Sequence, residues 1–378
     1  MTIEHKNSEL ISIDLNLLIK YLLSHSQYEN ITMKDLLFQH QGFISNNNFF
    51  TLLMTWYDNN QSILEVMNKW VIHKYYQIKN NQELFNLVTS FYKQGIKSNE
   101  ILDLLNDKKD ILDYNNKEWS RIGELIEPIL SPYASCNFNI LEWSEVEIAR
   151  QITLITQYIF RKVDANELIN SLWTKVDKLK YAPNVSRLID RFNKLSNWVC
   201  EEILAYDSSR MRALIVEKFI RIGSELKEIN NYNDCLTIVV ALNSLQIKSL
   251  NKTWRKVSFE SMKHWKDLNT LCSFERNYGA LREEVDKNKN KACIPYLGIF
   301  LKELAFIDEG HKYIMNKNLI NVEKIKKVSK IIDTLLSFKK YTYNFKPVFK
   351  LAFLAEPNPL TEDELTDLSS KLGNINLI

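Results

Sequence analysis

Eight glycines and seven prolines are all that punctuate this chain of 378 residues, about a third of their average usage. These two residues stop helices and build tight turns, so their scarcity predicts long helices and argues against a turn-rich β fold. The apolar spacing agrees. Leu15, Leu18, Ile19 and Leu22 fall at i, i+3, i+4 and i+7, and Ile148, Ile152, Ile155 and Ile159 stripe one face further on. Further helical runs are expected over 49–57, over 63–76 around Trp70, and over 84–91. The expected fold class is all-α, in a chain long enough for two or three domains.

Several function classes are excluded early. A net charge of +3 is nearly neutral at this size and does not suit a dedicated nucleic-acid binder. The run Lys287-Asn-Lys-Asn-Lys291 reads as a solvated loop tip. Cysteines 136, 200, 235, 272 and 293 are odd in number, scattered and without a CxxC pair, as expected of buried reduced thiols in an intracellular, cytoplasmic protein. The mostly apolar run Cys235–Leu242 is too short to cross a bilayer, and Glu4, His5 and Lys6 interrupt any signal-peptide core. Histidines 5, 25, 40, 73, 264 and 311 show no metal-binding spacing, and no P-loop or GxGxxG occurs. No cofactor and no metal are expected. Cys293 at a helix start would have a lowered pKa, but roughly 20 Å of helix rise separates it from His311, too far for a nucleophile–base pair.

The most informative segment is Ala292-Cys-Ile-Pro-Tyr-Leu-Gly-Ile-Phe-Leu-Lys-Glu-Leu-Ala-Phe-Ile-Asp-Glu-Gly310. Pro295 and Gly298 suit a sharp helix start, and Gly310 suits a left-handed C-cap. Two carboxylates at a helix C-terminus oppose the backbone dipole, which marks them for a task beyond folding. The segment resembles the helical-hairpin motif of the Ras-type guanine-nucleotide exchange factors, the Son-of-sevenless class.

The resemblance extends over residues 140–354 in about ten ordered blocks. They include Ile140–Leu154, where Ser144 caps a helix and Glu147 is expected to close a capping box. Leu172-Trp-Thr-Lys-Val-Asp-Lys178, Ala182-Pro-Asn-Val185, Arg191-Phe-Asn193, Asn230-Asn-Tyr-Asn233, Leu242-Asn-Ser244, Thr253-Trp254 and Leu319-Ile-Asn321 with Lys324 follow in family order. Residues 1–100 resemble, in pattern more than in residues, the family's N-terminal Ras exchanger motif. Residues 101–139 form a linker with some helix around 119–126, and 140–378 the catalytic domain. The resemblance implies a bowl-shaped helical exchange domain with a protruding hairpin, preceded by a smaller helical bundle that braces the hairpin. It implies GDP release from a Ras-family small GTPase with no bond chemistry. A GTPase-binding scaffold that does not empty its partner is the alternative.

Position in the motif gives Glu309 the role of repelling phosphate, Ala305 that of an apolar plug one turn earlier, and Tyr296 that of seating the hairpin. Their plain alternatives are a surface acid, a core alanine and a core tyrosine. His311 departs from the asparagine of many family members, and an imidazole, unlike an amide, titrates near neutrality. The resemblance also nominates Trp173, Lys178, Ile189, Asn193 and Asn243 as contacts for the GTPase's mobile switch II segment, against a core tryptophan and a solvated lysine as the plain reading of the first two. Asp190 stands where other members carry a basic residue, which would select a different GTPase. Phe192, Trp198, Phe219, Tyr232 and Trp254 are assigned to core packing. The tail from Pro357 is acidic, then apolar. It reads as a short closing helix, and it also resembles the tails of bacterial effectors exported into host cells.

Overall fold

Helices form where the apolar spacing predicts them: Leu15–Ser24, Asn46–Trp56, Gln61–His73 with Tyr75–Lys79 behind it, and Gln82–Phe91. The computed structural model describes residues 3–6, 9–24, 27–28, 31–57, 61–96, 99–106, 120–121, 125–129, 138–315 and 319–374. Cys136, Trp119 and most of the expected linker lie outside them. The fold is all-α, with only short strands. Two compact units interleave along the sequence. One comprises Met1–Glu118, Asp164–Ala182 and Leu301–Thr334, the other Trp119–Val163, Pro183–Phe300 and Leu335–Ile378.

In the first unit, local capping fixes the helix starts. Thr32 and Asp35 close a capping box before Met33–Gln39, and Ser45 and Asn81 cap the helices that follow them. Leu18, Ile19, Phe49, Phe50, Met67, Trp70 and Val88 form one core, which also takes in Tyr313, Ile320, Val322 and Ile325 from the far end of the sequence. Strand Glu9–Ile13 pairs antiparallel with Ile3–Lys6 on one side and Ile320–Asn321 on the other. Gly42 admits the Tyr313 ring, because a Cβ there would lie 2.3 Å from it.

Two buried cations-in-waiting sit in this core. His40 bonds the Leu37 carbonyl at 2.9 Å and Asn46 at 2.8 Å, and stacks on Phe49. Burial, helped by nearby Lys74, lowers its pKa to about 3. Lys74 is itself lowered to about 7 by burial, and donates to the Phe38 carbonyl and the Asn166 amide oxygen.

In the second unit, helix Tyr232–Asn243 is buried along almost its whole length, as its apolar run requires. Helices Pro183–Leu204, Ser209–Glu228 and Phe259–Leu271 pack around it. Trp198, Phe219 and Tyr232 are buried as assigned, Phe192 is half-buried, and half-buried Trp254 stacks on Trp265 at 5.6 Å. The polar centre is Asp234, fully enclosed, whose carboxylate accepts from Asn231 at 2.6 Å. Burial raises its pKa, and the buried guanidinium of Arg191 opposes the shift. Helix Glu362–Asn374 closes the tail, burying Leu365 and Leu372 against the second unit's other helices.

Two local expectations are corrected. Ser144 does cap helix Glu145–Lys162, but Glu147 does not return to close a box. It is buried, and its carboxylate accepts instead from Ile129 N at 2.8 Å and Gln151 at 2.6 Å. No helix forms over the described part of 119–126. Ser120–Arg121 pairs in parallel with Tyr341–Thr342, and Ile126 exchanges backbone bonds with Asn344 and Lys346. Those partners take the donors and acceptors a helix would have needed.

Candidate functional site

The segment leading into the hairpin helix is held by backbone bonds to a family-matched block. Tyr232 N and Asn233 N donate to the Ile294 carbonyl at 3.0 and 3.2 Å, and Ile294 N donates to Asn230 O at 3.0 Å. Asn230 has the left-handed φ of 62° that lets the chain turn there. Helix Leu297–Gly310 then begins. Tyr296 is half-buried between Phe192 and Tyr278, each with ring centroids 5.6 Å away. Three successive left-handed residues, Arg276, Asn277 and Tyr278, present that second ring. Cys293 is buried and its pKa is pushed up to about 12, not down, because it faces a desolvating core. That removes the thiolate a cysteine hydrolase would need.

Along the helix, Leu301, Leu304 and Ile307 are buried while Lys302, Phe306 and Glu309 are exposed. Ala305 is half-buried and lies one turn before Glu309 on the same face. Phe306, at 75% exposure, is an apolar feature of this helix that the motif did not single out. Gly310 is still helical and does not take a left-handed φ, so it is not the expected C-cap. The α ladder simply runs one residue further, with His311 N bonded to Ile307 O at 3.0 Å.

The two terminal carboxylates have separate fates. Asp308 accepts from Ser171 Oγ at 2.8 Å and pairs with Lys324 Nζ at 3.0 Å. Lys324, only 4% exposed at its side chain, also donates to the His311 carbonyl at 2.7 Å and lies 4.0 Å over the Tyr313 ring. One cation therefore offsets the helix dipole, caps an orphan carbonyl and neutralises Asp308. Glu309 is exposed, and no hydrogen bond or ion pair engages it among the described residues. His311 is half-buried.

Ser171 belongs to a strained turn in the same unit. Asn170 and Ser171 have φ of 53° and 50°, costly for residues with a Cβ, and lead into the short 3-10 turn Leu172–Thr174. Trp173 is turned inward to 7% exposure. Lys178 is exposed, and beside it Val176 and Leu179 stand 100% and 73% exposed. The free surface of this turn is thus aliphatic and basic, with the tryptophan as its footing.

Residues Ile189, Asp190, Asn193 and Asn243 lie in the second unit with Tyr296. Ile189 is half-buried and Asn193 exposed one turn later on helix Pro183–Leu204. Asp190 is exposed but pairs with Lys194 at 3.0 Å, so its charge is partly offset on its own helix. Asn243 is exposed at the end of its helix, where its amide donates to Asn269 at 2.7 Å. Trp173, Lys178, Ala305, Glu309 and His311 belong to the first unit.

Sequence reasoning missed the roles of Ser171, Asp308 and Lys324. A signal existed: Lys324 is in register with Val328 and Ile332, both buried, on one stripe of helix Val322–Ser337. A lysine on an apolar stripe requires a buried anionic partner. Among the described residues no cluster of His, Cys, Asp and Glu could hold a metal ion, and no helix is long and apolar enough to cross a membrane.

Residues 147–326 match the RasGEF domain. The Ras-specific guanine nucleotide-releasing factor 2 of Danio rerio is 31% identical over 320 residues, covering 82% of this chain and 25% of the relative. The Ras guanine nucleotide exchange factor A of Dictyostelium discoideum is 29% identical over 371 residues, covering 89% and 59%. Its exchange factor G is 34% identical over 255 residues, covering 66% and 16%. The chain therefore spans less than two thirds of each of these relatives. None of the three is bacterial, so they lend no support to an effector origin.

Proposed function

Given that this chain carries a RasGEF domain, we propose that it is a guanine-nucleotide exchange factor acting in the cytoplasm on a Ras-family GTPase. The single observation that carries the reading is the division of labour at the end of the Leu297–Gly310 helix, where Asp308 is neutralised and Glu309 stays exposed and unengaged. A nucleotide held at picomolar affinity is worth about −16 kcal/mol. Exchanger and nucleotide must weaken each other by one shared coupling energy. A carboxylate delivered beside the phosphates repels the anion, and a small apolar group such as Ala305 takes the place of metal-bound water. Neither step breaks a covalent bond or titrates a proton.

Tyr296, held among Phe192 and Tyr278, keeps the start of the helix fixed. Lys178, Val176 and Leu179 on one unit, and Ile189, Asn193 and Asn243 on the other, offer polar and apolar contacts for the GTPase. Asp190, already paired with Lys194, bears on which GTPase is accepted. The test is release of a fluorescent GDP analogue from a panel of Ras, Rap, Ral and Rheb-like GTPases in the presence of Mg²⁺. Acceleration on at least one member is expected. Tight binding to a nucleotide-free GTPase with no acceleration on any member would establish the scaffold reading instead.

A further inference from the structure

The exchange helix and the Leu172–Thr174 turn are joined by a polar relay that the proposed activity leaves unexplained. Its members are Ser171, Asp308, Lys324 and Tyr313, and all belong to one compact unit. Ser171 Oγ donates to one Asp308 oxygen at 2.8 Å, and Lys324 Nζ holds the other at 3.0 Å. Lys324 also reaches the His311 carbonyl and the Tyr313 face. Its backbone N–H is fixed by Asn321 Oδ1 at 3.0 Å, and Tyr313 donates its hydroxyl to Gln39 at 3.2 Å. Gln39 in turn donates to the Ile325 carbonyl at 3.0 Å. Every group with a fixed direction in this relay is satisfied, so the relay has one geometry.

Strain is what gives it a purpose. Asn170 and Ser171 both occupy the left-handed region, and neither is glycine. Such a pair persists only when its surroundings over-determine it. The Ser171–Asp308 bond supplies that determination, and it couples the turn bearing Trp173 and Lys178 to the residue immediately before Glu309.

We propose that Asp308 and Lys324 are positioning residues for exchange, holding the Ser171 turn in register with the end of the helix so that Lys178 and Glu309 meet the GTPase together. The proposal rests on the exchange reading above. It predicts that the docking turn loses register with the helix when the bond to Asp308 is cut, even though each part remains folded.

Ser171→Gly separates this from a structural role. Glycine accepts the left-handed φ at no steric cost, so the variant keeps or gains thermal stability while losing the hydroxyl. Its maximal exchange rate should fall on the order of tenfold, since small misplacements of reacting groups are costly. Asp308→Asn and Lys324→Met should follow it. Lys324→Arg, whose fork can span both acceptors, should recover most of the rate. A second readout needs no GTPase: amide hydrogen exchange across residues 172–181 should quicken in Ser171→Gly and Asp308→Asn and return toward wild type in Lys324→Arg. If the wild type accelerates no GTPase, the exchange reading fails and hydrogen exchange alone judges the relay. If the wild type is active and Ser171→Gly is equally fast with unchanged amide protection, the relay does not position the turn.

Discussion

Tyr296 lies over Gly298 so closely that a methyl group on Gly298 would sit 2.4 Å from the tyrosine hydroxyl. The helix therefore starts with its first turn bare, and the ring that precedes it folds back into the space. Gly298→Ala must push the ring away from Phe192 and Tyr278. Overpacking of this kind costs about 1–3 kcal/mol. The thermal midpoint should drop accordingly, and exchange should fall by more than the unfolded fraction explains. A variant as stable and as fast as wild type would show that the ring is not needed where it lies.

Glu309→Ala addresses the charge. The side chain is exposed and unengaged among the described residues, so stability should change by no more than about 0.5 kcal/mol. GDP release should slow while affinity for the nucleotide-free GTPase is retained. Release at the wild-type rate would leave the exchange to Ala305 and the exposed face of the helix.

Trp173→Ala and Lys178→Ala should part company. Trp173 is buried, so its loss should cost about 3–5 kcal/mol. Lys178→Ala should leave the thermal midpoint within about a degree, by the small cost of exposed substitutions, and raise the exchanger concentration needed for half-maximal rate. Thermal denaturation read beside exchange kinetics distinguishes the two. Equal destabilisation by both would mean that the turn is a folding element only.

The His40 environment makes acid stability predictable. Its pKa falls from 6.5 in the unfolded chain to about 3 in the fold. Between these values the unfolded state binds more protons, so folded stability is fully present above about pH 6.5 and is lost as pH falls towards 3. The slope should approach about 1.4 kcal/mol per pH unit from this group. His40→Gln, which can still bond Asn46 and the Leu37 carbonyl, should flatten denaturant midpoints between about pH 4 and 6. An unchanged slope in that variant would assign the acid sensitivity to other groups.

Much of this was legible in the sequence because helices announce themselves by spacing. Leu15–Leu22 became a core face from periodicity alone, and the apolar run Cys235–Leu242, too short for a bilayer, lies in the buried helix Tyr232–Asn243. Glu309 is exposed, as its place near a helix end leads one to expect, and Ala305 is half-buried one turn before it. What stayed hidden depends on partners distant in sequence. Glu147 looked like a capping residue because the motif is local, yet Ile129 and Gln151 claim it. Gly310 looked like a cap because glycine usually is one, yet Lys324 completes the helix end from outside. Asp308 and Glu309 could not be told apart in one dimension, since only the fold brings Ser171 and Lys324 to one of them.

That asymmetry between neighbouring acids should be visible to selection. In a saturation scan of every position, Asp308 should tolerate little: asparagine should keep abundance and lose exchange-dependent growth, while substitutions that leave Lys324 buried without an acceptor should lower abundance as well. Glu309 should look permissive by abundance and intolerant only where growth depends on signalling. Two adjacent columns of the same chemical type would then carry opposite histories: one constrained by what the chain must be, the other by what it must do to something else.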